Sequence, residues 1–364
     1  MNTWKPAAWL TLLALPLGLR ADRMYRVMPR LRPQTTDGRP QPTDVFPSLS
    51  IIVPARNESA NLKLLLPTLN ALQYPGALEI IVVDDHSADD TRAVAESFGA
   101  RVLGVETLPE GWHGKPHACH LGAQAAHGDW LLFTDADTLH DADSAARAVA
   151  FARDHALDGL TLFLRQQVNG WFDGIVLTTA FAGLFAGVRR THDLMNGQYI
   201  LLRRSVYAQS GGFAAVRDQA LEDLALAAHL RKLNYAVIAL RGESAAAVRM
   251  YDSTAQMWRG MTRLGAGSLK FFGAGSVLTA LFTTALMSPL LVFVGALTRR
   301  LPFAWLPITW LASSASVIPF ARRFGSAWWA LLAPCGALFV LLAAWWGIFS
   351  RVIGRGIHWR GRNV

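Results

Sequence analysis

Asp135-Ala136-Asp137 sets two carboxylates one residue apart, directly after the apolar run Trp130-Leu131-Leu132-Phe133-Thr134. A buried strand that ends this way can aim both acids at one hard divalent cation such as Mg²⁺ or Mn²⁺. Such a cation prefers oxygen ligands and shares them with substrate phosphates. An isolated Asp-x-Asp is most often a solvated turn. This one has company: Ser50-Ile51-Ile52-Val53-Pro54-Ala55-Arg56-Asn57-Glu58 and Ile80-Ile81-Val82-Val83-Asp84-Asp85 lie upstream, and Glu222-Asp223 lies downstream. The combined chemistry suits group transfer from a nucleotide diphosphate, with one set of acids for the leaving group and another for a proton.

Each motif has a plainer reading beside the chemical one. Pro54, Arg56, Asn57 and Glu58 close the first apolar run, where a sharp turn offers N–H groups and a cation to a nucleotide; the same residues also make an ordinary strand-to-helix loop. Asp84 and Asp85 close the second run, where an acid can bind a ribose hydroxyl or the base edge. Ser87 or Asp89 can cap the helix beginning at Thr91 without using Asp84. Lys115, in Gly111-Trp112-His113-Gly114-Lys115-Pro116, stands at a helix start that already favours an anion. Its target is a diphosphate or a sugar, or only solvent. His117, His120 and His127 do not match a zinc-binding helix and read as surface or packing residues.

Glu222 and Asp223 open an amphipathic helix, where an acid commonly just favours the dipole. In the chemical reading Asp223, with Glu222 beside it, is the base that takes the proton of an acceptor hydroxyl attacking an anomeric carbon. A metal at Asp135 and Asp137 would stabilise the departing nucleoside diphosphate, with Asp135 also facing the donor. One direct displacement predicts inversion.

Short apolar runs alternate with amphipathic stretches from Leu49 to about Val248. Ser50–Val53, Glu79–Val83, Arg101–Val105, Trp130–Thr134 and Leu160–Leu164 read as strands. Asn61–Leu72, Thr91–Phe98, Pro116–Ala126 and Asp143–His155 read as helices. This alternation predicts an α/β fold, a mostly parallel Rossmann-like sheet with helices on both faces. Ligands bind beyond the C-terminal ends of such strands, which gathers Pro54–Glu58, Asp84-Asp85 and Asp135–Asp137 at one edge.

The flanks are of a different kind. Hydrophobic residues make up 52% of the 364, and charged residues 17%, a balance too apolar for an ordinary soluble domain. Trp4–Leu19 reads as an uncleaved anchor within residues 1–28, because no small-residue cleavage site follows and the Arg residues come after it. Its C-terminal side is then cytoplasmic. Residues 29–47, with five prolines, read as an extended linker to a catalytic domain over 48–250. Thr254–Phe272, within 251–275, reads as an amphipathic helix lying in a membrane interface or packed on a surface. Ser276–Thr298, Leu301–Phe320 and Phe324–Ser350 are each long enough to span a bilayer, making 276–350 a set of transmembrane helices and 351–364 a basic tail. If all three span, a cytoplasmic catalytic domain puts the Arg-rich tail outside, against the positive-inside rule. The net charge of +9 sits beside these apolar segments and points to anionic lipid headgroups, not nucleic acid. The two cysteines, Cys119 and Cys335, form no framework.

With these residues in view, about Leu49 to Gly260 resembles the family 2 glycosyltransferases, which have the GT-A fold. The resemblance implies that Asp84 and Asp85 contact the nucleotide, that Asp135 and Asp137 hold the metal, and that Asp223 is the catalytic base. Gly111–Ala118, Met195-Asn196-Gly197-Gln198, Arg249–Ser253 and Trp359–Arg362 look like the hopene-associated and carotenoid (4,4'-diaponeurosporenoate-type) members, membrane enzymes that glycosylate polyisoprenoid lipids. Many processive members carry Gln-x-x-Arg-Trp. Here the string is Gln256-Met257-Trp258-Arg259-Gly260, which argues for a single transfer. Gly197, Gln198, Trp258 and Arg259 are the candidate acceptor residues.

The expectation is a multi-pass enzyme of the cytoplasmic membrane, its catalytic domain facing the cytoplasm. It would move one hexose from a UDP- or GDP-sugar to a carotenoid or hopanoid, using Mg²⁺ or Mn²⁺. The alternatives are a sugar transferase acting on polyprenyl phosphate or a glycerolipid, a non-catalytic membrane scaffold that kept the fold, and a nucleotidyltransferase. The intact acidic set argues against the scaffold. Glu222-Asp223 and the membrane half argue against the nucleotidyltransferase.

Overall fold

The computed structural model describes residues 5–32, 46–219, 221–272, 274–353, 358–359 and 362–363. It divides into two compact units, one of residues 28–166 and 192–250, the other of residues 1–27, 167–191 and 251–364.

Among the described residues the first unit has ten strands: β1 (Leu49–Ala55), β2 (Leu78–Asp84), β3 (Arg101–Gly104), β4 (Trp130–Thr134), β5 (Thr138–His140), β6 (Gly159–Phe163), β7 (Arg165–Gln166), β8 (Tyr199–Arg203), β9 (Val237–Arg241) and β10 (Ala246–Val248). Seven make one sheet in the order β3-β2-β1-β4-β8-β6-β9. Only β8 runs antiparallel to its neighbours, β4 and β6. The central strands are buried on both faces, with Ile51, Ile52, Val53, Leu131 and Leu132 all at 0% exposure. That burial is why they read as unbroken apolar runs and not as alternating ones. Helix Ser59–Asn70 covers one face with Leu62, Leu65, Leu66 and Leu69, a helical stripe. Helix Gly114–Ala125 comes so close to β1 that a Cβ at Gly122 would collide with the Ile52 side chain. That approach fixes the helix carrying Lys115 against the strand carrying Pro54.

The chain leaves β1 for β2 on one side and returns for β4 on the other, so the strand order reverses at β1. A crevice at such a switch point, beyond the strand C-termini, is where doubly wound sheets bind ligands. β1, β2 and β4 are parallel neighbours, so the three sequence clusters share this edge as anticipated. A second sheet, β5-β10-β7, hangs from the same edge. Within it Thr138 pairs with Val248, and the Arg249 N–H donates to Asp137 O at 3.1 Å, pinning the backbone just after the Asp135–Asp137 turn.

The stretch read as a linker starts as part of the sheet unit: Leu31 N–H donates to Arg241 O at 2.9 Å and Arg241 N–H to Pro29 O at 2.8 Å, extending the β9 edge. Residues 33–45 of that linker lie outside the described residues, as does half of the basic tail 351–364.

The other unit is helical: Lys5–Val27, Trp171–Gly187, Thr254–Phe272, Ala274–Leu286, Ser288–Leu297, Trp305–Phe324 and Ala333–Val352. The first helix runs past its apolar stretch through Arg20, Asp22, Arg23 and Arg26. The Arg20 guanidinium donates to Ala186 O (3.0 Å) and Val188 O (2.7 Å), closing the C-terminus of helix Trp171–Gly187. Asp22 pairs with Arg26 at 2.7 Å and with Arg323. Arg20 is thus engaged by protein, not turned to a headgroup.

Among the described residues one helical stretch, Ala327–Val352, is long and apolar enough to cross a membrane, with mean hydropathy 2.0. The stretch Ser276–Thr298 is two helices bent by 46°, and counts as a second span only if the bent pair is taken as one. Pro289, at the start of helix Ser288–Leu297, cannot donate to the preceding turn and accounts for the break. The stretch Leu301–Phe320 becomes helix Trp305–Phe324, whose last turn carries Arg322 and Arg323; it does not meet the same measure of length and hydropathy. Helix Thr254–Phe272 spans the residues the sequence pattern indicated.

Candidate active site

Two groups of side chains form at the β1–β2–β4 edge. The first braces the loops after β1 and β2. Asn57 has φ of 54°, a left-handed conformation that Asn tolerates better than most residues. The turn lets Asn57 N–H donate to Ser87 Oγ (2.9 Å) while its Oδ1 accepts from Ala88 N–H (2.7 Å). Arg56 donates to Asp85 O at 2.9 Å, and its guanidinium lies 3.8 Å from Asp85 Oδ2. Asp84 Oδ1 accepts from Ser87 N–H at 3.1 Å, so this acid does take part in the turn. Its other oxygen stands 3.8 Å from Arg92, a residue the sequence reading passed over. Glu58 accepts from Asn61 Nδ2 at 2.7 Å. Asp84, Asp85 and Glu58 are all buried, at 8%, 5% and 4% exposure, so the pair of loops is one stiff wall.

The second group gathers Pro54, Lys115, Asp135, Gly197, Glu222 and Asp223 around one cleft floored by Phe133, Thr134 and Cys119. Lys115 Nζ sits 2.6 Å from Asp135 Oδ1 and 3.5 Å from Glu222 Oε1. It therefore links residues far apart in sequence and is not the freely solvated lysine of the plainer reading. Asp223 turns the other way. Its Oδ2 accepts from Gly197 N–H (3.0 Å) and its Oδ1 from Leu224 N–H (2.8 Å). A Cβ at Gly197 would stand 3.0 Å from Lys115 Nζ and 3.3 Å from Asp223 Oδ2, so any side chain there would crowd both.

The electrostatics follow from this packing. Burial pushes the Asp223 carboxyl up, and the charge of Glu222 pushes it further; Lys115 and the two N–H donors pull it back, leaving it at about 6. Burial alone would lower the Lys115 ammonium, but Asp135 and Glu222 hold it above its ordinary value, so it stays charged. Burial raises the Cys119 thiol well above the usual range, which keeps it protonated and inert.

Sequence reasoning missed what stands behind the acids. Thr134 Oγ1 donates to Gln198 O (3.0 Å) and lies 2.9 Å from both Thr138 Oγ1 and His140 Nε2. Thr138 Oγ1 donates to Asp135 O at 2.7 Å. Burial lowers His140 to about 4, so it is neutral here. Hydroxyls at both ends of the Asp135–Asp137 turn were the available signal. Replacing Thr134 with Val leaves these partners unsatisfied and is expected to cost about 1–3 kcal/mol of stability, read from the urea midpoint. Asn196 is a further such residue, its Nδ2 donating to Leu162 O (2.9 Å) and to Gln198 Oε1 (3.0 Å).

The candidate acceptor residues belong to different units. Gly197 is in the cleft, while Gln198 is buried at 7% exposure and supports Asn196. Trp258 and Arg259 belong to the helical unit, where Trp258 packs edge-on to Phe339 at 5.3 Å. In the same unit a Cβ at Gly260 would fall 2.6 Å from the Tyr251 ring and hydroxyl. No Trp fits there without displacing Tyr251.

Among the described residues no group of three or more His, Cys, Asp and Glu converges as a metal cage. Mg²⁺ and Mn²⁺ do not require one: one or two carboxylates completed by substrate phosphates and water suffice. Asp135 already holds a cation, the Lys115 ammonium, against one oxygen. The donor set of Asp135 and Asp137 thus fits a hard cation shared with a bound phosphate.

Residues 50–225 match the family described as Glycosyl transferase family 2. The 4,4'-diaponeurosporenoate glycosyltransferase of Staphylococcus aureus strain MRSA252 is 29% identical over 239 residues, 61% of this chain and 63% of that protein. Its counterpart in strain USA300 is 28% identical over 250 residues, with the same coverage. The match thus spans 63% of the length of these relatives. Among solved structures, the mannosyltransferase PcManGT from Pyrobaculum calidifontis, in complex with GDP-Man and Mn²⁺, aligns with a TM-score of 0.58 at 20% identity, covering 93% of this chain and 99% of that one. That likeness is one of fold, and it agrees with the mostly parallel mixed sheet.

Proposed function

We propose that this chain, a family 2 glycosyltransferase, moves a single hexose from a nucleotide diphosphate sugar, a UDP-sugar in the first place, to a polyisoprenoid lipid of the carotenoid or hopanoid class. The observation that carries the reading is the acidic cleft: Asp223, fixed by two backbone N–H groups, beside the Lys115 ammonium that Asp135 and Glu222 hold. A base held near 6 is ionised at neutral pH yet basic enough to accept a proton in a transition state. With a hydroxyl acceptor, Asp223 takes the acceptor proton as the acceptor oxygen bonds to the anomeric carbon. The bond from that carbon to the diphosphate oxygen breaks in the same displacement, with inversion. Lys115 supplies positive charge beside the departing diphosphate. A divalent cation bound at Asp135 and Asp137 would neutralise more of that charge. Glu58, Asp84 and Asp85, in the braced loops, hold the nucleoside, with Arg56 and Asn57 keeping those loops in register.

The lipid acceptor rests on two supports and the single transfer on a third. The relatives bear the name of a carotenoid acid transferase. Helix Ala333–Val352 exposes Leu342, Trp345, Trp346 and Phe349 at 50–66%, an apolar surface suited to a bilayer. Gly260 removes the Trp of processive enzymes. The enzyme then sits in the cytoplasmic membrane with its sheet unit on the cytoplasmic side. Product from an α-linked UDP-hexose, examined by NMR, is expected to carry one sugar in β linkage. A retained α linkage, or a lengthening glycan, would refute this reading.

A further inference from the structure

At the opposite end of β4 from the acidic cleft lies a second depression, of about 630 Å³. That volume falls within the range of small-ligand sites. Asp129, Trp130, Arg153, Arg203, Arg204 and Ser205 line it. β4 is five residues long, so at ~3.3 Å per residue roughly 15 Å of strand separates the two sites.

Three guanidiniums against one carboxylate leave the depression positive. The exception is largely spoken for: Asp129 Oδ2 accepts from Ser48 N–H (3.1 Å) and Ser48 Oγ (2.7 Å). Among the described residues none of the three arginines has a carboxylate within 4.0 Å. Elsewhere in this unit arginines do find such partners, as Arg147 does with Asp143 at 2.8 Å. Arg203 is held in place, its Nε donating to Leu157 O at 3.1 Å and its guanidinium lying 4.7 Å from the Trp130 ring centroid. Its Nη groups remain to donate elsewhere. The Arg153 guanidinium lies 5.7 Å from the Phe46 ring. The Arg153 and Arg203 guanidiniums lie over aromatic rings, and the charge that Arg204 feels is that of Asp129, whose Oδ2 Ser48 already engages; guanidiniums so placed bind phosphoryl oxygens with paired N–H groups.

We propose that this depression is a binding site for a phosphoryl group, separate from the donor site and borne by Arg153, Arg203 and Arg204. The phosphoryl group belongs either to a soluble phosphate compound or to a lipid headgroup. Nothing in the transfer chemistry uses these residues, so the site stands whether or not the proposed reaction holds.

Inorganic pyrophosphate, titrated calorimetrically into the full chain in neutral detergent with chelator and low salt, is the first probe. Binding is expected, weakened about tenfold or more in Arg153→Gln/Arg204→Gln and unchanged in Lys115→Met. Both replaced arginines are exposed, so the double variant is expected to keep its melting temperature. Dihexanoyl phosphatidic acid, with dihexanoyl phosphatidylcholine as the control, is the second probe. If the acid displaces pyrophosphate and binds more tightly while the choline lipid does not, the ligand is a lipid phosphate. If only pyrophosphate binds, the ligand is soluble. The absence of binding by either probe, or binding lost in Lys115→Met but kept in the double variant, would overturn the site.

Discussion

Asp223→Asn lowers kcat about 10²–10⁴-fold with a hydroxyl-bearing acceptor, the usual worth of a positioned general base. The substitution keeps the size of the side chain and the acceptor for one of the Gly197 and Leu224 N–H groups, which bond to different oxygens, so its melting temperature is compared with wild type before the loss is read as chemistry. The pH profile gives an independent readout. Asp223 is raised to about 6, and only its ionised form accepts a proton. Wild-type kcat/KM should therefore fall tenfold per pH unit below about 6 and level off above it. In Asp223→Asn the acid limb should vanish. A carboxylate acceptor, such as a carotenoid acid, is already ionised near neutrality and needs no base. With it the same variant should lose less than about tenfold, so running both acceptors separates the two nucleophile classes. A near-neutral effect with a hydroxyl acceptor would remove Asp223 from the mechanism.

The second large effect belongs to Lys115. Replacing it with Met removes the cation between Asp135 and Glu222 and leaves several acids in one cleft. Donor kcat/KM is expected to fall about 10²–10³-fold, as when one charge-stabilising donor is deleted from an active site. Because Lys115 pulls the Asp223 carboxyl down, its removal should also shift the acid limb to higher pH. Arg at this position restores charge but not shape, and should recover little. A lowered kcat/KM with an unmoved limb would mean that Lys115 meets the donor without touching the base.

What could be read in the sequence follows from sequence distance. β1, β2 and β4 are unbroken apolar runs because both their faces are covered, and the acids that end them mark their C-termini. Parallel neighbours then bring Pro54–Glu58, Asp84-Asp85 and Asp135–Asp137 to one edge with no further information. β8 was not foreseen, although Tyr199–Leu202 is as apolar as β4. As the antiparallel strand beside β4 it brings Gly197 to Asp223, and no local pattern announces a reversal of direction. The Lys115 bridge was equally hidden, because its three members come from separate elements that only the fold assembles. Asp84 illustrates a different limit: its own residue type could not say that one oxygen would be taken by the Ser87 turn. Among the apolar stretches, Ser276–Thr298 looked continuous because composition is blind to the bend beside Pro289.

The central claim is lipid glycosylation through this acidic cleft. Purified protein in detergent should be given Mg²⁺ or Mn²⁺, a panel of nucleotide sugars and a total membrane lipid extract, with Asp135→Ala alongside, and new glycolipids sought by mass spectrometry. One polyisoprenoid lipid is expected to gain one hexose mass, dependent on the metal and lost in Asp135→Ala. Folded wild-type protein that yields no glycolipid with any donor, or a product that persists in Asp135→Ala, would contradict it.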